Sequence, residues 1–438
     1  MRSTRRPMLA AFSLALMALA PAAQAQSLQV LYEAARAYDA TFLSARAQAQ
    51  SAEFRAAQAE ALRLPSARAA ANVTGTRLDL PQRNGNSNSI GGSVSASYPL
   101  FNKANDASYA QARKALELAQ ADLVTAEQDL ILRVSQAYFD VLAAQDALTT
   151  TRAGKAAITE QLASAKRNFE VGTATITDTR EAQARFDLAS AQEIAAENDL
   201  RTKRIALDQL VGRTNVTPNG LARPVILPAT QPADAEAWVT QGSEVHPAIR
   251  KARLALDVAQ LEIEKSRAGR LPTVDAVGSA GVSDASGKLA SVPGLTKSAS
   301  VGVQLSWPIY TGGSVDNRIK ETVALEEKSR NDLEAARRTV AQFTRQAYFG
   351  LQSGMAQVKA LEAAEASTQL ALEATQLGYR VGVRVNLDVL NAQTQLFTTQ
   401  RDLAKARYDV LLANLRLRQA SGLLKADDLR PLNALLAR

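Results

Sequence analysis

Residues 168–173 read Asn-Phe-Glu-Val-Gly-Thr and are followed by Asp178, and a similar stretch returns 210 positions later. The second copy, residues 378–383, reads Gly-Tyr-Arg-Val-Gly-Val and is followed by Asp388. In both copies an aromatic residue precedes Val-Gly, and an Asp comes six positions after the Gly. Each copy separates two long segments of helical pattern, so we predict that each is the tip of a helical hairpin. We further expect the two tips to form the mouth of a tube.

The chain before the first tip contains a helix and a strand hairpin. In this first repeat, residues 26–212, a helical pattern extends from residue 27 to about residue 63 and is stopped by Pro65. Polar and apolar residues then alternate, which predicts a strand hairpin over residues 66–100. The stretch 79–89 is rich in Asn, Gly and Ser, and this composition predicts a polar loop between the two strands.

The longest uninterrupted run is residues 102–168, which contain no proline and would form a helix ~100 Å long. Its apolar residues follow a coiled-coil spacing with one stutter. Residues 27–63 and 178–211, taken together, have nearly the length of this run. We therefore expect the two shorter helices to stack end to end beside the long helix and to form a helical wall of uniform height.

The same plan is repeated in residues 246–422, which indicates an internal duplication. A helix is predicted to begin at His246-Pro247, a strand hairpin follows at 272–308, and the second tip spans 379–388. The sequence Gln-Ala-Tyr-Phe at 136–139 recurs unchanged at 346–349, again 210 positions later.

Three further segments lie outside the repeats. Residues 1–25 have a basic start, an apolar run over 8–20 and Ala-Gln-Ala at 23–25, which is the pattern of a secretory signal peptide. Residues 213–245, with four prolines, are predicted to be a linker or a small irregular subdomain. A short C-terminal segment occupies residues 423–438.

Composition excludes several classes of function. The net charge of +8 includes three arginines of the predicted signal peptide, and the remaining excess is mixed with acids along helices, so nucleic-acid binding is not indicated. The chain has no Cys, which rules out disulfides, thiolate chemistry and a lipid anchor on an N-terminal Cys. After the leader there is no run of eighteen apolar residues, so a membrane-spanning part would have to be built of β-strands.

The four predicted strands have the length and alternation of membrane β-strands, roughly 10 residues each. A soluble sandwich is the alternative. Four strands cannot close on themselves, and open edges would leave unpaired backbone groups in lipid, so the barrel would be shared between chains. Periodicity alone does not distinguish eight strands from twelve. Tyr98 and Trp307 are predicted to lie at equivalent strand ends, where interfacial aromatic residues would lie.

These features together resemble the TolC family of outer-membrane efflux proteins. The resemblance rests on the duplicated plan, the Val-Gly tips followed by Asp, the proline-bounded strand hairpins and the closing segment 427–435. It implies a mainly α-helical chain with a small β part, and a homotrimer with a twelve-stranded outer-membrane barrel and a helical periplasmic tunnel. It also implies equatorial positions for 213–245 and 423–438. A periplasmic adaptor would connect the tunnel to an inner-membrane translocase of the RND or ABC type.

The resemblance also implies a gate at the periplasmic mouth. By position, Asp178, Tyr379 and Arg384 would make the closing contacts, and Asp388 would project into the pore. Arginine and tyrosine are suited to this role because a guanidinium pairs with a carboxylate and a phenol adds a hydroxyl. The alternative is that Asp178 and Asp388 only act as N-caps of their helices.

One position departs from the family pattern. The family has a second ring acid three residues after Asp388, where this chain has Asn391, and the corresponding residue of the first repeat is Glu181. The ring would then carry three carboxylates rather than six, unless Glu181 contributes. This substitution predicts weaker cation selectivity and weaker block by multivalent cations.

The turns at the two tips are further candidates for an interaction site. Their residues would contact the hairpin tips of the adaptor, although glycine at these positions also serves the turn itself. The residues are Val171, Gly172, Thr173, Val381, Gly382 and Val383.

The sequence offers little support for two other classes of function. An enzyme is disfavoured because the sequence has no nucleophile, phosphate-binding or metal motif, and its single histidine, His246, is expected to be a helix cap. No cofactor is expected. A periplasmic coiled-coil adaptor or structural protein would share the helices but would not need four alternating strands. Cargo, whether drugs or secreted proteins, is not indicated.

Overall fold

The computed structural model describes residues 26–81, 83–222, 224–225, 227–228 and 230–437. The predicted signal peptide lies outside the described residues. The helices are α1 (Leu28–Tyr38), α2 (Ala40–Ala61), α3 (Lys103–Glu170), α4 (Ile176–Val211), α5 (Ala235–Val245), α6 (Pro247–Ala268), α7 (Ser314–Arg380), α8 (Asn386–Ala420) and α9 (Leu429–Asn433). The strands are β1 (Ser66–Leu80), β2 (Arg83–Phe101), β3 (Thr273–Ser286) and β4 (Gly294–Ser306).

Each repeat begins with a kinked pair of helices. In the first repeat, α1 has 11 residues and α2 has 22, with Asp39 between them. In the second, α5 and α6 have the same two lengths, with His246 between them. The predicted single helix over 27–63 is therefore wrong, because the extended backbone of Asp39 (ψ 116°) ends α1 and its carboxylate accepts from the Phe42 N–H at 2.7 Å to begin α2. The predicted linker likewise contains a helix, α5.

The long helices form a wall four helices wide. In the half that carries the strands, the order of neighbours is α2–α3–α6–α7, and in the half that carries the tips it is α4–α3–α8–α7. The N-terminal helix α1 contacts both α3 and α4 where the two halves meet, as the end-to-end stacking prediction requires. At 68 and 67 residues, α3 and α7 are each ~100 Å long. No helix in the described part of the chain is long and apolar enough to cross a membrane.

The repeated Gln-Ala-Tyr-Phe sequence anchors the segment between the repeats. Tyr138 is fully buried, and its hydroxyl donates to the carbonyl of Asn219 at 2.8 Å. Tyr348 does the same with the carbonyl of Ala233 at 2.6 Å. The main hydrophobic core surrounds Tyr138 and joins α1, α3, α4, α8 and the C-terminal segment. The duplicated tyrosines thus fix both ends of the segment that connects the repeats.

The strands form one antiparallel sheet in the order β1-β2-β3-β4. The predicted loop over 79–89 is wrong, because β1 and β2 remain paired as far as Leu80 and Arg83. The adjacent strand β3 pairs with β2 only from Asn88 onward, so the end of this hairpin projects beyond the sheet. One side of this end is exposed, and the other is half-buried beside the segment after β3, where the Leu289 N–H donates to the Asn86 carbonyl at 3.3 Å. Exposure at the end of the hairpin explains why a paired segment has the polar composition of a loop.

The two faces of the sheet differ sharply. The register places most of the large apolar side chains of the four strands on one face, where all but the half-buried Val274 are exposed in the single chain. They are Val73, Ile90, Val94, Tyr98, Val274, Val282, Val301, Val303 and Leu305. The other face is lined largely by Ser, Thr, Gly and Ala, and Ser279 Oγ lies 2.9 Å from Ser300 Oγ.

Tyr98 and Trp307 both lie near the helical end of the sheet, at register positions four residues apart. Tyr98 pairs with Ala276, which in turn pairs with Val303. Trp307 comes four residues after Val303, immediately beyond β4, and its indole N–H donates to the carbonyl of Arg270 at 3.2 Å. The two aromatic residues are therefore offset by ~13 Å along the strands. Residues at one depth of a barrel are offset in this way because its strands are tilted and staggered, and the placement of both residues at a membrane interface stays a prediction.

Candidate functional site

The two tips have nearly identical backbones. Helix α3 ends at Glu170 and α4 begins at Ile176, while α7 ends at Arg380 and α8 begins at Asn386. Gly172 has φ 78° and Gly382 has φ 79°, a left-handed conformation that side chains with a Cβ seldom adopt. The turns are closed by matching hydrogen bonds of 2.8 Å, from Thr173 N–H to the Asn168 carbonyl and from Val383 N–H to the Gly378 carbonyl.

The outer surface of both turns is apolar and exposed. Val171 is 72% exposed, and Val381 and Val383 are 65% and 78% exposed. Nothing lies within 4 Å of where a Cβ would extend from Gly172 or Gly382, so these glycines are required for the backbone conformation and not to avoid a neighbour. The ends of the hairpins are thus free apolar surfaces on a well-defined turn.

The first tip has a complete capping box at the N-terminus of its second helix. Thr175 is the N-cap of α4, and its Oγ1 accepts from the Asp178 N–H at 3.2 Å. The Asp178 carboxylate accepts from the Thr175 N–H at 2.9 Å and from Thr175 Oγ1 at 2.7 Å. Asp178 is therefore the third helical residue of a capping box, and the alternative that it is itself the N-cap is wrong.

The second tip makes only half of this motif. Its N-cap is Val385, which has no side-chain oxygen, and the Asp388 carboxylate accepts from the Val385 N–H at 3.4 Å. The N-cap interpretation is thus wrong for Asp388 as well. Asp388 also lies 3.8 Å from Nη1 of Arg384 in a partly exposed ion pair. Its carboxylate is less fully engaged by its own turn than that of Asp178.

The three predicted closing residues do not bond to one another within the described chain. Tyr379 accepts instead from Nδ2 of Asn168 at 3.3 Å, a contact between the second tip and the first. The nearest ionic partner of Arg384 is Asp388, and the side-chain partner of Asp178 is Thr175. Each of the three residues is thus bonded to another residue of the tips within the described chain.

Asn391, the residue that departs from the family pattern, has a hydrogen-bond partner on another helix. Asn391 is exposed, and its Oδ1 accepts from Nη2 of Arg185 on α4 at 2.9 Å. Glu181 is half-buried on the same helix and makes no hydrogen bond or ion pair with other described residues. A guanidinium therefore lies beside the position where the family has its second acid.

The structure adds one residue that the sequence did not indicate. Asn386 is 1% exposed at the start of α8. Its Nδ2 donates to the backbone carbonyl of Asp178 at 3.2 Å, and its Oδ1 accepts from Nε2 of Gln161 on α3. The available signal was the register of the repeats, because the residue 210 positions earlier is Ile176.

Apolar contacts also join the two hairpins below the tips. Leu390 of α8 is fully buried in a cluster formed by residues of α3 and α4, among them Ile158, Leu162 and Ala182. No group of three or more His, Cys, Asp or Glu side chains in the described residues could hold a metal ion.

The family model of outer membrane efflux proteins matches residues 31–213 and 238–423, which include both tips and both strand hairpins. The chain belongs to this family. Outer membrane efflux proteins are channels and not enzymes, and the chain is accordingly a channel of the outer membrane, extending into the periplasm, that serves efflux, type I secretion or both.

Two relatives show the breadth of the family. The chain is 33% identical to outer membrane protein TolC of Vibrio cholerae over 373 residues, which cover 85% of each chain. It is 35% identical to the alkaline protease secretion protein AprF of Pseudomonas aeruginosa over 340 residues, covering 77% of this chain and 70% of the relative.

Solved structures of the family share the fold at lower identity. The structure of CusC matches with a TM-score of 0.79 at 19% identity, covering 91% of this chain and 92% of that one. The outer membrane protein VceC of Vibrio cholerae matches with a TM-score of 0.77 at 20% identity, covering 90% and 96%. The duplicated helical plan with four strands is therefore the family fold.

Proposed function

We propose that three copies of the chain form one continuous exit duct. The observation that carries this proposal is the four-stranded sheet, whose apolar face is exposed and whose strands β1 and β4 each have one edge without a partner strand among the described residues. Unpaired edge groups are not tolerated in lipid, so the sheets of several copies would have to join edge to edge. Two copies would give eight strands, a cylinder filled by its own side chains, whereas three give twelve and leave a passage.

The hairpin tips of the three copies would close the periplasmic end. Asp178 and Arg384 are on different tips of one chain, and their partly exposed side chains would be able to meet across the boundary between copies, with Tyr379 beside them. Each exposed ion pair would contribute only ~0–1 kcal/mol. A gate of several such contacts would remain closed at rest and open when a partner protein binds.

Selectivity would come from the carboxylates at the mouth. Asp388 would contribute three of them, one from each copy. An acid at position 391 would lie next to Arg185, because Arg185 already donates to Asn391 at 2.9 Å. Asn391→Asp alone would therefore neutralise the positive charge of Arg185 in a local ion pair, and a net negative charge would face the pore only if Arg185→Gln were added.

This selectivity proposal can be tested by bilayer conductance. The ratio of cation to anion permeability should rise in the order wild type, Asn391→Asp, and Asn391→Asp with Arg185→Gln. Block by multivalent cations should rise in the same order. Arg185→Gln alone is the matched control for the loss of the guanidinium. Equal selectivity in all four proteins would show that position 391 does not face the ion path.

The exposed valines of the tips would bind a periplasmic adaptor. Val171, Val381 and Val383 present an apolar surface at the end of each hairpin, and Gly172 and Gly382 set its shape. Through this adaptor the duct would connect to an inner-membrane translocase of the RND or ABC type, which would supply the energy. Thr173 would contribute a hydrogen-bonding side chain to the adaptor-binding surface of the first tip.

The complete proposal is tested with the protein extracted from outer membranes. We expect a heat-modifiable trimer that gives stepwise conductance in planar bilayers and that co-purifies with an adaptor protein. Val381→Asp with Val383→Asp should abolish the co-purification and leave the trimer intact. A monomer without conductance would contradict the duct. Deletion of the gene should be scored for drug sensitivity and for loss of a secreted protein, which separates the two classes of cargo.

A further inference from the structure

Asn386 is a polar residue at a buried position, where an apolar side chain would be expected. The equivalent residue of the first tip is Ile176, an apolar side chain that is 49% exposed, whereas Asn386 is polar and 1% exposed. Its neighbours in the same helix, Val389 and Leu390, are also fully buried. Burying an amide is unfavourable unless its hydrogen bonds are made. The two bonds of Asn386 to the first hairpin are therefore what permits an asparagine at this position.

The hydrogen bonds of Asn386 fix the relative position of the two hairpins more narrowly than the apolar contacts do. The packing of Leu390 against α3 and α4 is non-directional and would tolerate small sliding of one hairpin along the other. The bonds from Asn386 to the Asp178 carbonyl and to Gln161 require short distances and good alignment. Because they end on both helices of the first hairpin, they define a single position of the second tip.

We propose that Asn386 is a positioning residue that holds the second tip against the first when the mouth is closed, and that opening requires its two hydrogen bonds to break. This inference rests on the gated duct proposed above. A relative displacement of the tips by ~1 Å takes a hydrogen bond out of its favourable range. The site is in the first turn of α8, beside exposed residues of the tip, so water can replace the lost partners and the break is reversible.

The first experiment exchanges the residues of the two tips. Asn386→Ile gives the second tip the residue of the first, and Gln161→Leu removes one partner while leaving Asn386 in place. Both variants should raise the open fraction of the channel in planar bilayers, by about three- to tenfold, as expected for the loss of one or two buried hydrogen bonds. The reciprocal change, Ile176→Asn, introduces an amide at an exposed position and should leave conductance unchanged.

A second experiment restores the lost connection by a covalent bond. The chain has no cysteine, so introduced pairs react without interference. Gln161→Cys with Asn386→Cys should conduct in a reducing buffer, close on oxidation or on reaction with a short bis-maleimide, and, after oxidation, reopen with reductant. The two single-cysteine variants should not respond. A residue that only supported folding would not give a reversible change of this kind.

The outcomes separate the inference from the function on which it rests. Heat-modifiable trimers of Asn386→Ile and Gln161→Leu that conduct as the wild type does would overturn the inference and leave the duct intact. If Asn386→Ile fails to assemble, the result for Gln161→Leu decides. An absence of conductance in every protein, including the reduced double-cysteine variant, would contradict the proposed duct itself.

Discussion

The two repeats follow one backbone plan, but they differ at the two places where the chain changes direction. At the kinks, Asp39 forms a two-bond ion pair with Arg133, at 2.9 Å for each bond, whereas His246 accepts from the Ala248 N–H at 3.1 Å. At the tips, the first repeat has a complete capping box and the second has half of one. Duplication thus preserved the geometry, while the polar contacts diverged.

The difference at the tips indicates which hairpin is free to move. The first tip is stabilised by contacts within its own turn, through Thr175 and Asp178. The second tip depends more on contacts with the first, through Asn386, Leu390 and Tyr379. A displacement of the second tip would therefore break contacts between hairpins and leave each turn intact. This division suits a gate that opens without local unfolding.

The largest expected effect comes from removing the apolar contact between the hairpins. Leu390→Ala empties a fully buried position and should lower the free energy of unfolding by about 2–5 kcal/mol. Arg180→Ala, at the equivalent exposed position of the first repeat, is the control and should change it by less than ~0.5 kcal/mol. Denaturant unfolding of the assembled protein measures both values. Similar effects of the two changes would mean that the tips are not asymmetric.

The next effect concerns the two caps. Thr175→Ala removes the capping hydroxyl of α4 and should destabilise the first tip by about 1 kcal/mol. Val385→Thr supplies the missing hydroxyl to α8 and should stabilise the second tip by a similar amount. Hydrogen exchange of the first-turn amides of each helix reports on the two tips separately. If Val385→Thr slows no amides of α8, the half-formed box is not the weak point of the second tip.

The kinks should respond to pH in different ranges. Burial lowers the pKa of His246 below its ordinary value of 6.5, so the folded state favours the neutral ring and stability is lost as pH falls below that value. The hydrogen bonds from Arg133 lower the pKa of Asp39 below 3.8, so the stability contributed by this pair is lost only in stronger acid.

Thermal unfolding between pH 7 and pH 3 distinguishes the two kinks. His246→Asn keeps a capping side chain that does not titrate, and it should remove the loss of stability near pH 6. Asp39→Asn should leave the change near pH 6 in place and remove the later one. A wild type whose stability is constant between pH 7 and pH 5 would contradict the role assigned to His246.

The smallest expected effect is that of the exposed ion pair in the second tip. Arg384→Ala should change the stability of a single subunit by less than ~1 kcal/mol, because its pair with Asp388 at 3.8 Å is partly exposed and screened by solvent. If Arg384 closes the mouth between copies, the same change should still raise conductance. Double-mutant cycles with Asp388→Asn and with Asp178→Asn would show which carboxylate it pairs with in the assembly.

Much of the fold could be predicted from local patterns. The Val-Gly turns, the long helices and the strand positions follow from glycine geometry and from the periodicity of apolar residues, which depend on neighbours in the sequence. The errors arose where the composition of a segment did not indicate its pairing, or where a distant partner contributes. The loop assigned to 79–89 is paired strand because β1 and β2 extend beyond β3. The kink at Asp39 is supported by Arg133, which is 94 residues away.

The candidate site likewise has features that the sequence determines and features that only the tertiary structure decides. The sequence alone determined the duplication, the two turns and the identity of the acids near them, because these properties reside in short stretches and in their spacing. Only the tertiary structure decided what those side chains bond to, since Asn386 and Asp178 are 208 residues apart in the chain and Arg185 and Asn391 are 206 apart. A polar residue in a helical pattern gives no indication of whether a partner will cover it, because that depends on how separate hairpins pack against each other.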